Sequence, residues 1–290
     1  MQCFHPVSIR DPSKPESDDR ITVPCGKCFA CQSNRRRDWH MRIKYELLHQ
    51  LCSYTVTLTY DNEHLPPLVY FVDYDPIKEP DKHGFWYHPY DITHVQKFFK
   101  RLRKDGFQFR YFGVAEYGTK TARPHYHIIF FFDKPIQKIT FQTEVLKQWP
   151  YGTQIVVDET NDDCIGYTLK YCLKFYNVHQ PGPKIFLSKK PFIGSGYLQP
   201  GTVSYLRTRC VDIVPTLSGT HRIPRLLRDK IFTEEMKDIL KFKMEQTVSK
   251  IQAETISRAA ERGIEIVEYK NRMNQAFIKK CVSAIKKKSL

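Results

Sequence analysis

The run PHYHIIFFF, residues 124–132, constrains the fold most, because it is almost wholly apolar yet begins with two histidines one residue apart. Side chains alternate between the two faces of a β-strand, so His125 and His127 share one face. The tyrosine between them faces the opposite way, and apolar residues continue both faces beyond the histidines. The run therefore predicts a strand that is covered on both sides except at its histidine end.

Composition and charge narrow the class of protein. The 290 residues are 41% hydrophobic, which is enough for a sizeable core. The net charge of +15, from 46 Lys and Arg against 31 Asp and Glu, favours a polyanionic partner such as nucleic acid, although charge alone leaves a membrane surface open. Neither a signal segment nor an 18-residue apolar run is present, so we expect a cytosolic protein with reduced cysteines.

The pattern of elements predicts an α+β fold. Residues 54–176 are interpreted as a β-α-β-β-α-β order with an added helix, the split βαβ plan, and we expect an antiparallel sheet with helices on one face. An amphipathic helix with Ser33 or Asn34 as its cap is predicted before this segment, and 62–89 is interpreted as a long loop. The predicted domains are 1–52, a Cys-rich arm and helix; 53–215, the sheet domain; and 216–290, a helical basic segment.

The two histidines have two interpretations. They could make ordinary hydrogen bonds at a strand end, or they could bind one metal ion from a shared strand face. Glu116 lies near the end of the preceding strand, and hairpin pairing would bring its carboxylate beside the histidines. Such a nitrogen and oxygen donor set suits Mg²⁺ or Mn²⁺ in phosphate chemistry.

The repeated unit YTLKYCLK, residues 167–174, is predicted to be helical. At about 100° per residue, one arc holds Tyr167, Lys170, Tyr171 and Lys174. The tyrosines could be the edge of an amphipathic core helix with a solvated lysine fringe. Alternatively a phenol could attack a phosphodiester, helped by a metal ion and by lysine charge.

The N-terminal arm contains a CxxCxxC pattern made by Cys25, Cys28 and Cys31, and Cys3 could supply a fourth sulfur for a structural Zn²⁺. Cys31 could instead simply begin the next helix. Three arginines follow directly and are interpreted either as a solvated basic face or as DNA-binding residues: Arg35, Arg36 and Arg37.

Taken together, EYG, RPHYHII and the later YxxKYxxK resemble the HUH endonucleases, in particular the two-tyrosine replication initiators of microviruses of the gokushovirus type, which are phages with circular single-stranded DNA. The stretches PCGKCFACQSNRRRDWHMRIKYE, TVTLTYDNEHLP and SKKPFIGSGYL share the likeness. The resemblance implies an HUH fold and an origin-specific nickase that joins covalently to DNA, starts rolling-circle replication and rejoins the displaced strand.

The resemblance also implies residue roles. His125 and His127 match the metal-binding pair, and Glu116 a third ligand. The nucleophiles are matched by Tyr167 and Tyr171, and the lysines beside them by Lys170 and Lys174. Two positions depart from the family pattern, Tyr126 between the histidines and Phe192 in SKKPFIG.

The expected partners are single-stranded and origin DNA, with a host helicase and polymerase acting in trans, because no GxxxxGK[ST] phosphate loop is present. The expected location is the cytoplasm of the bacterial host. An HUH transposase or relaxase is one alternative, and a non-enzymatic, zinc-containing nucleic-acid-binding module is another.

Overall fold

The computed structural model describes residues 3–71, 85–118, 122–171, 182–216 and 219–287. The chain divides into two compact units, one formed by residues 36–197 and the other by residues 1–35 with 198–290. The domain boundaries predicted after residues 52 and 215 stay predictions.

The elements alternate between strands and helices up to residue 231 and are helical afterwards. The strands are β1 (Val7–Arg10), β2 (Arg20–Val23), β3 (Cys52–Thr59), β4 (Val69–Phe71), β5 (Phe85–Tyr87), β6 (Arg110–Tyr117), β7 (Pro124–Phe132), β8 (Val156–Glu159), β9 (Lys184–Leu187), β10 (Ile213–Thr216) and β11 (Gly219–Arg222). The helices are α1 (Phe29–Leu47), α2 (Ile92–Lys104), α3 (Lys138–Gln148), α4 (Asp162–Tyr171), α5 (Pro200–Arg209), α6 (Arg225–Ile231), α7 (Glu234–Glu261) and α8 (Ile266–Lys287).

A five-stranded sheet in the order β8-β3-β7-β6-β9 forms the centre of the 36–197 unit, and every neighbouring pair is antiparallel. Strands β3 and β6 are therefore parallel to each other, with β7 inserted between them. Helix α2 connects β3 to β6 by way of the β4–β5 hairpin, and α3 connects β7 to β8, which is the split βαβ arrangement. The predicted α+β class and antiparallel sheet are confirmed, whereas the HUH assignment stays a prediction.

Helices α2 and α3 cover one face of this sheet. Their buried residues pack against the even-numbered side chains of β7, among them Tyr126 and Phe130, in one core cluster. This is the face that the alternation in PHYHIIFFF assigns to Tyr126.

The opposite face is covered as well, so the expectation of helices on one face is wrong. Ile129 and Phe131 of β7 lie in a second buried cluster with Ile43 of α1 and with Ile165 and Leu169 of α4. The physical reason is the doubly apolar β7: leaving either face open would expose a row of Ile and Phe side chains, each worth about 2 kcal/mol when buried.

Helix α2 is closed at both ends as its sequence predicts. Asp91 caps the beginning by accepting hydrogen bonds from the backbone N–H of Thr93 and His94. Gly106, with φ of +92°, follows the end of the helix, where a left-handed conformation suits glycine. The hydroxyl of Tyr126 accepts the Asp91 N–H at 2.9 Å and thus ties the start of α2 to the sheet.

Helix α1 begins at Phe29, earlier than the predicted cap at Ser33 or Asn34, because the helix follows directly on the turn formed by residues 25–28. The predicted loop 62–89 contains the two-stranded β4–β5 hairpin on either side of residues 72–84, which lie outside the described residues.

Buried Glu46 of α1, 3% exposed, links three segments. One carboxylate oxygen pairs with Arg110 of β6, and the other accepts the Gly194 N–H at 2.7 Å. The Arg110 guanidinium also donates to the carbonyls of Pro191 and Phe192. This network fixes the SKKPFIGSGY segment between α1 and the sheet.

The other unit combines a small N-terminal hairpin with C-terminal helices. Strands β1 and β2 pair antiparallel, with Val7 opposite Val23. Buried Asp212 binds both Arg222 and Arg228, which gives these arginines a structural contact. The helical character predicted from residue 233 onward is confirmed by α7 and α8. In the part of the chain that the structure describes, no helix combines the length and apolarity needed to cross a membrane.

We predict that Glu46→Ala destabilises the sheet unit by about 3 kcal/mol, because it removes the buried partner of Arg110 and the acceptor for Gly194. Urea unfolding followed by circular dichroism measures the loss. Glu63→Ala, which alters an exposed carboxylate, is the matched control. Equal stability of the two variants would contradict the assigned role of Glu46.

Candidate nuclease site

Strands β6 and β7 place the predicted ligands on one face at one end of the sheet. Their register sets Glu116 directly opposite His125 and Val114 opposite His127. On the other side of β7, Thr57 of β3 lies opposite His127. The shared face of the histidines is confirmed, since they alternate with Tyr126 of the other core cluster.

His127 is held by two side chains. Its Nε2 lies 3.0 Å from Glu116 Oε1, and its Nδ1 lies 3.0 Å from Thr57 Oγ1. His127 and Glu116 are only 3% and 5% exposed. Because a carboxylate only accepts hydrogen bonds, the short approach of Nε2 to Glu116 requires either a proton on Nε2 or a cation that both atoms bind.

His125 is fixed by the backbone. Its Nδ1–H donates to the Arg123 carbonyl oxygen at 2.7 Å, which leaves the lone pair of the neutral ring on Nε2. A ring nitrogen that donates to a carbonyl while the other faces a ligand is the usual support of a metal-binding histidine. Thr57 gives His127 a comparable partner.

The donor chemistry fits a divalent cation, since two imidazoles and one carboxylate are the ligand types that Mn²⁺ accepts. The fit is incomplete in distance. His127 and Glu116 are in contact, but among the described residues the cysteine cluster discussed below is the group whose ligand atoms all lie within 4.8 Å of one another.

Helix α4 brings Tyr167 to this end of the sheet. Asn161 accepts the Cys164 N–H at the start of the helix, and Ile165 and Leu169 anchor one side of it in the core. Tyr167 is 51% exposed, and its ring centroid lies 5.4 Å from that of His127, with the rings nearly perpendicular. The phenol therefore stands beside the histidine and still contacts solvent.

The remaining residues of the YTLKYCLK unit are described only in part. Lys170 is half-buried on α4, and Tyr171 ends the helix as the structure describes it. The side chain of Tyr171, like the whole of Lys174, lies outside the described residues. Four residues separate the two tyrosines, so the backbone of α4 places them on neighbouring turns of similar orientation.

The three arginines lie inside α1 rather than before it. Arg35 is exposed, while Arg36 and Arg37 are half-buried. Arg36 Nη2 donates to the carbonyl oxygen of Gly166 at 3.1 Å, so this arginine braces the turn of α4 that carries Tyr167. The predicted DNA contacts of Arg35, Arg36 and Arg37 stay predictions.

The sequence alone did not identify Thr57 or the contact of Arg36 as parts of this site. Thr57 could have been found from the alternation in TVTLT, which puts its threonines on one strand face. The contact between Arg36 and Gly166 spans 130 residues and leaves no local signal.

A separate cluster contains Cys3, Cys25, Cys28 and Cys31, whose sulfur atoms all lie within 4.8 Å of one another. The β1–β2 hairpin brings Cys3 back to the CxxCxxC turn, with 3.7 Å between the sulfurs of Cys3 and Cys28. Cys31 lies in the first turn of α1 and still joins the cluster. Four such sulfurs could bind a metal ion such as Zn²⁺.

Backbone amides stabilise negative charge in this cluster. The Cys28 N–H donates to Cys25 Sγ at 3.3 Å and lowers the pKa of that thiol. Burial opposes the same effect at Cys28, yet the N–H groups of Cys31 and Phe4 lower the pKa of its thiol to about 6. Burial raises the pKa of Cys31 to about 12.

Comparisons with known proteins agree with the motifs. The family model for the replication-associated protein ORF2 matches residues 53–176. Replication-associated protein ORF2 of Spiroplasma virus 4 is 36% identical over 171 residues, covering 53% of this chain and 48% of the relative. Replication-associated protein ORF4 of Chlamydia phage 1 is 28% identical, with coverage of 54% and 39%. For Replication-associated protein VP4 of Bdellovibrio phage phiMH2K the values are 27%, 59% and 57%.

The chain thus spans about half the length of the curated relatives it matches. No solved structure matches it. The matched segment begins with β3 and contains the histidine strand and α4. Through residues 53–176 the chain belongs to the family of the replication-associated protein ORF2, as the resemblance to microvirus replication initiators predicts.

Proposed function

We propose that the chain is a replication-associated endonuclease that nicks the origin of circular phage DNA. It would initiate rolling-circle replication and later rejoin the displaced single strand. The observation that carries this proposal is the half-exposed phenol of Tyr167 beside the His127–Glu116 pair. The names of the phage relatives support a role in replication.

The proposed reaction is a transesterification. The phenol oxygen of Tyr167 or Tyr171 attacks a backbone phosphorus, and its proton leaves to solvent. The bond from phosphorus to the 3′ oxygen breaks, and that oxygen takes up a proton to become a 3′ hydroxyl. A phosphotyrosine joins the protein to the new 5′ end. Because one phosphodiester replaces another, a later attack by a 3′ hydroxyl reverses the step without ATP.

His125, His127 and Glu116 would hold a Mg²⁺ or Mn²⁺ ion, which when bound would polarise the phosphate that is attacked. Lys170 and Lys174 would offset the negative charge that develops on the phosphate oxygens. Thr57 and the Arg123 carbonyl orient the two imidazoles from behind. The chain's own residues thus supply the nucleophile, the ligand orientation and part of the charge balance.

The two tyrosines have separate uses in this scheme. One phenol would remain linked to the DNA while the other attacks the regenerated origin, which allows the displaced strand to be closed. Duplex unwinding and synthesis would come from a host helicase and polymerase. Arg35, Arg36 and Arg37 would contact phosphates of the bound DNA.

We further propose that the cysteine cluster is a structural Zn²⁺ site. A short arm with only one hairpin has little apolar surface to bury, and a metal ion would supply the missing stabilisation.

The nicking proposal predicts a covalent adduct. The full chain is incubated with Mn²⁺ and with single-stranded oligonucleotides, labelled at their 3′ ends, that tile the genome encoding it. We expect label on the protein after boiling in detergent. Tyr167→Phe and Tyr171→Phe together should abolish the adduct, and each single change should show which phenol attacks first.

Tyr205→Phe, which alters an exposed tyrosine outside residues 53–176, is the matched control and should retain the adduct. Undiminished adduct in the double variant would remove both tyrosines from the mechanism. A chain that binds the oligonucleotides but yields no adduct would be a nucleic-acid-binding module.

The ligand proposal predicts that Thr57→Val weakens Mn²⁺ binding by about tenfold, because loss of a hydrogen bond that orients a metal-binding imidazole usually has an effect of this size. Calorimetric titration with Mn²⁺ measures it. Thr55→Val, two residues earlier on the same strand face, is the control. Similar affinity of both variants would contradict the role of Thr57.

The zinc proposal predicts about one zinc ion per purified chain by elemental analysis. Cys28→Ser should lower this content and the thermal stability, since tetrahedral zinc needs all four sulfurs. Cys164→Ser, outside the cluster, should change neither. Unchanged zinc content in Cys28→Ser would refute the assignment.

A further inference from the structure

The β4–β5 hairpin exposes two large aromatic rings side by side. Tyr70 of β4 and Trp86 of β5 are directly opposite in the strand register, and their ring centroids lie 5.3 Å apart. Tyr70 is 52% exposed and Trp86 is 65% exposed. Aromatic rings of this size normally bury most of their surface, so a paired exposure indicates an interaction surface.

The hairpin is anchored by its other face. Tyr87 follows Trp86 and therefore points to the opposite side, where its ring meets the edge of Tyr117 at 5.9 Å. Tyr117 in turn stacks on Tyr90 at 4.4 Å. At the base of the hairpin, the His88 Nδ1–H donates to the Pro66 carbonyl oxygen. The exposed pair is thus held on a fixed support.

This support leads to the candidate nuclease site. Tyr117 directly follows Glu116, and both lie at the end of β6 where Glu116 faces His125 across the register. The hairpin therefore stands at the same end of the sheet as the histidines and Glu116. A nucleic acid whose phosphate reached that end would have its neighbouring nucleotides close to the hairpin.

We propose that Tyr70 and Trp86 form a stacking surface for unpaired bases of single-stranded DNA beside the nick. This inference rests on the proposed function. Every base has a flat π face, so a Tyr–Trp pair would bind bases without reading sequence, while base pairing in a duplex would hide those faces. The net charge of +15 favours a nucleic acid over an apolar protein partner for this surface.

The test measures binding without cleavage. The full-length chain is titrated into fluorescein-labelled oligothymidylate in buffer lacking Mg²⁺ and Mn²⁺, and anisotropy gives the affinity. We expect Trp86→Ala and Tyr70→Ala each to weaken binding by about tenfold. Trp86→Phe should keep most of the affinity, because a smaller ring still stacks. Phe242→Ala, which removes a ring that is 61% exposed on α7, should leave binding unchanged.

Tryptophan fluorescence supplies a second readout. Trp149 is 1% exposed and Trp39 is half-buried, so the exposed Trp86 should account for most of the quenching by oligothymidylate. Trp86→Phe should remove that quenching while preserving affinity. Binding to a blunt duplex of equal length should be insensitive to all of these changes.

Wild-type affinity of Trp86→Ala for oligothymidylate would overturn the proposal, as would an equal loss of duplex binding. So would sedimentation data in which Trp86→Ala abolishes self-association of the chain, because the pair would then bind a second copy. Since no cleavage is measured, failure here leaves the adduct experiment unaffected. Conversely, absence of an adduct with intact stacking would refute nicking alone.

Discussion

The burial of β7 on both faces is the constraint on which the rest of the sheet unit depends. Its even-numbered side chains require α2 and α3, and its odd-numbered side chains require α1 and α4. The strand cannot slip by one residue between β3 and β6, because a slip would exchange every side chain between the two cores. The same fixed register sets Glu116 opposite His125 and Thr57 opposite His127.

The site follows from this constraint because its parts lie where the apolar run ends. His127 belongs to the face that α4 covers, so the helix that buries Ile165 and Leu169 also carries Tyr167 to the histidine. Arg36 of α1 braces the same turn of α4 from the neighbouring helix. A nucleophile, a ligand pair and a basic support are thus positioned by the packing of one strand.

Much of this arrangement could be predicted from local patterns. Alternation identified β7 and the shared face of its histidines, and the cap at Asp91 with Gly106 identified the limits of α2. The second layer of helices was missed, although the doubly apolar β7 already required it. Contacts between distant segments, such as Arg36 with Gly166 or Glu46 with Gly194, have no local signature, because they depend on which helices pack together. The hairpin that returns Cys3 to the other cysteines was likewise too short to recognise.

The central claim is that a phenol on α4 becomes joined to DNA, and peptide mapping of the adduct tests it most directly. Trypsin cleaves after Lys170 and Lys174, so Tyr167 and Tyr171 fall on different peptides. After nuclease trimming, mass spectrometry should find a nucleotide 5′-phosphate on one or both of these tyrosines. A nucleotide attached at any other residue, or to no residue in a chain that cleaves DNA, would contradict the account.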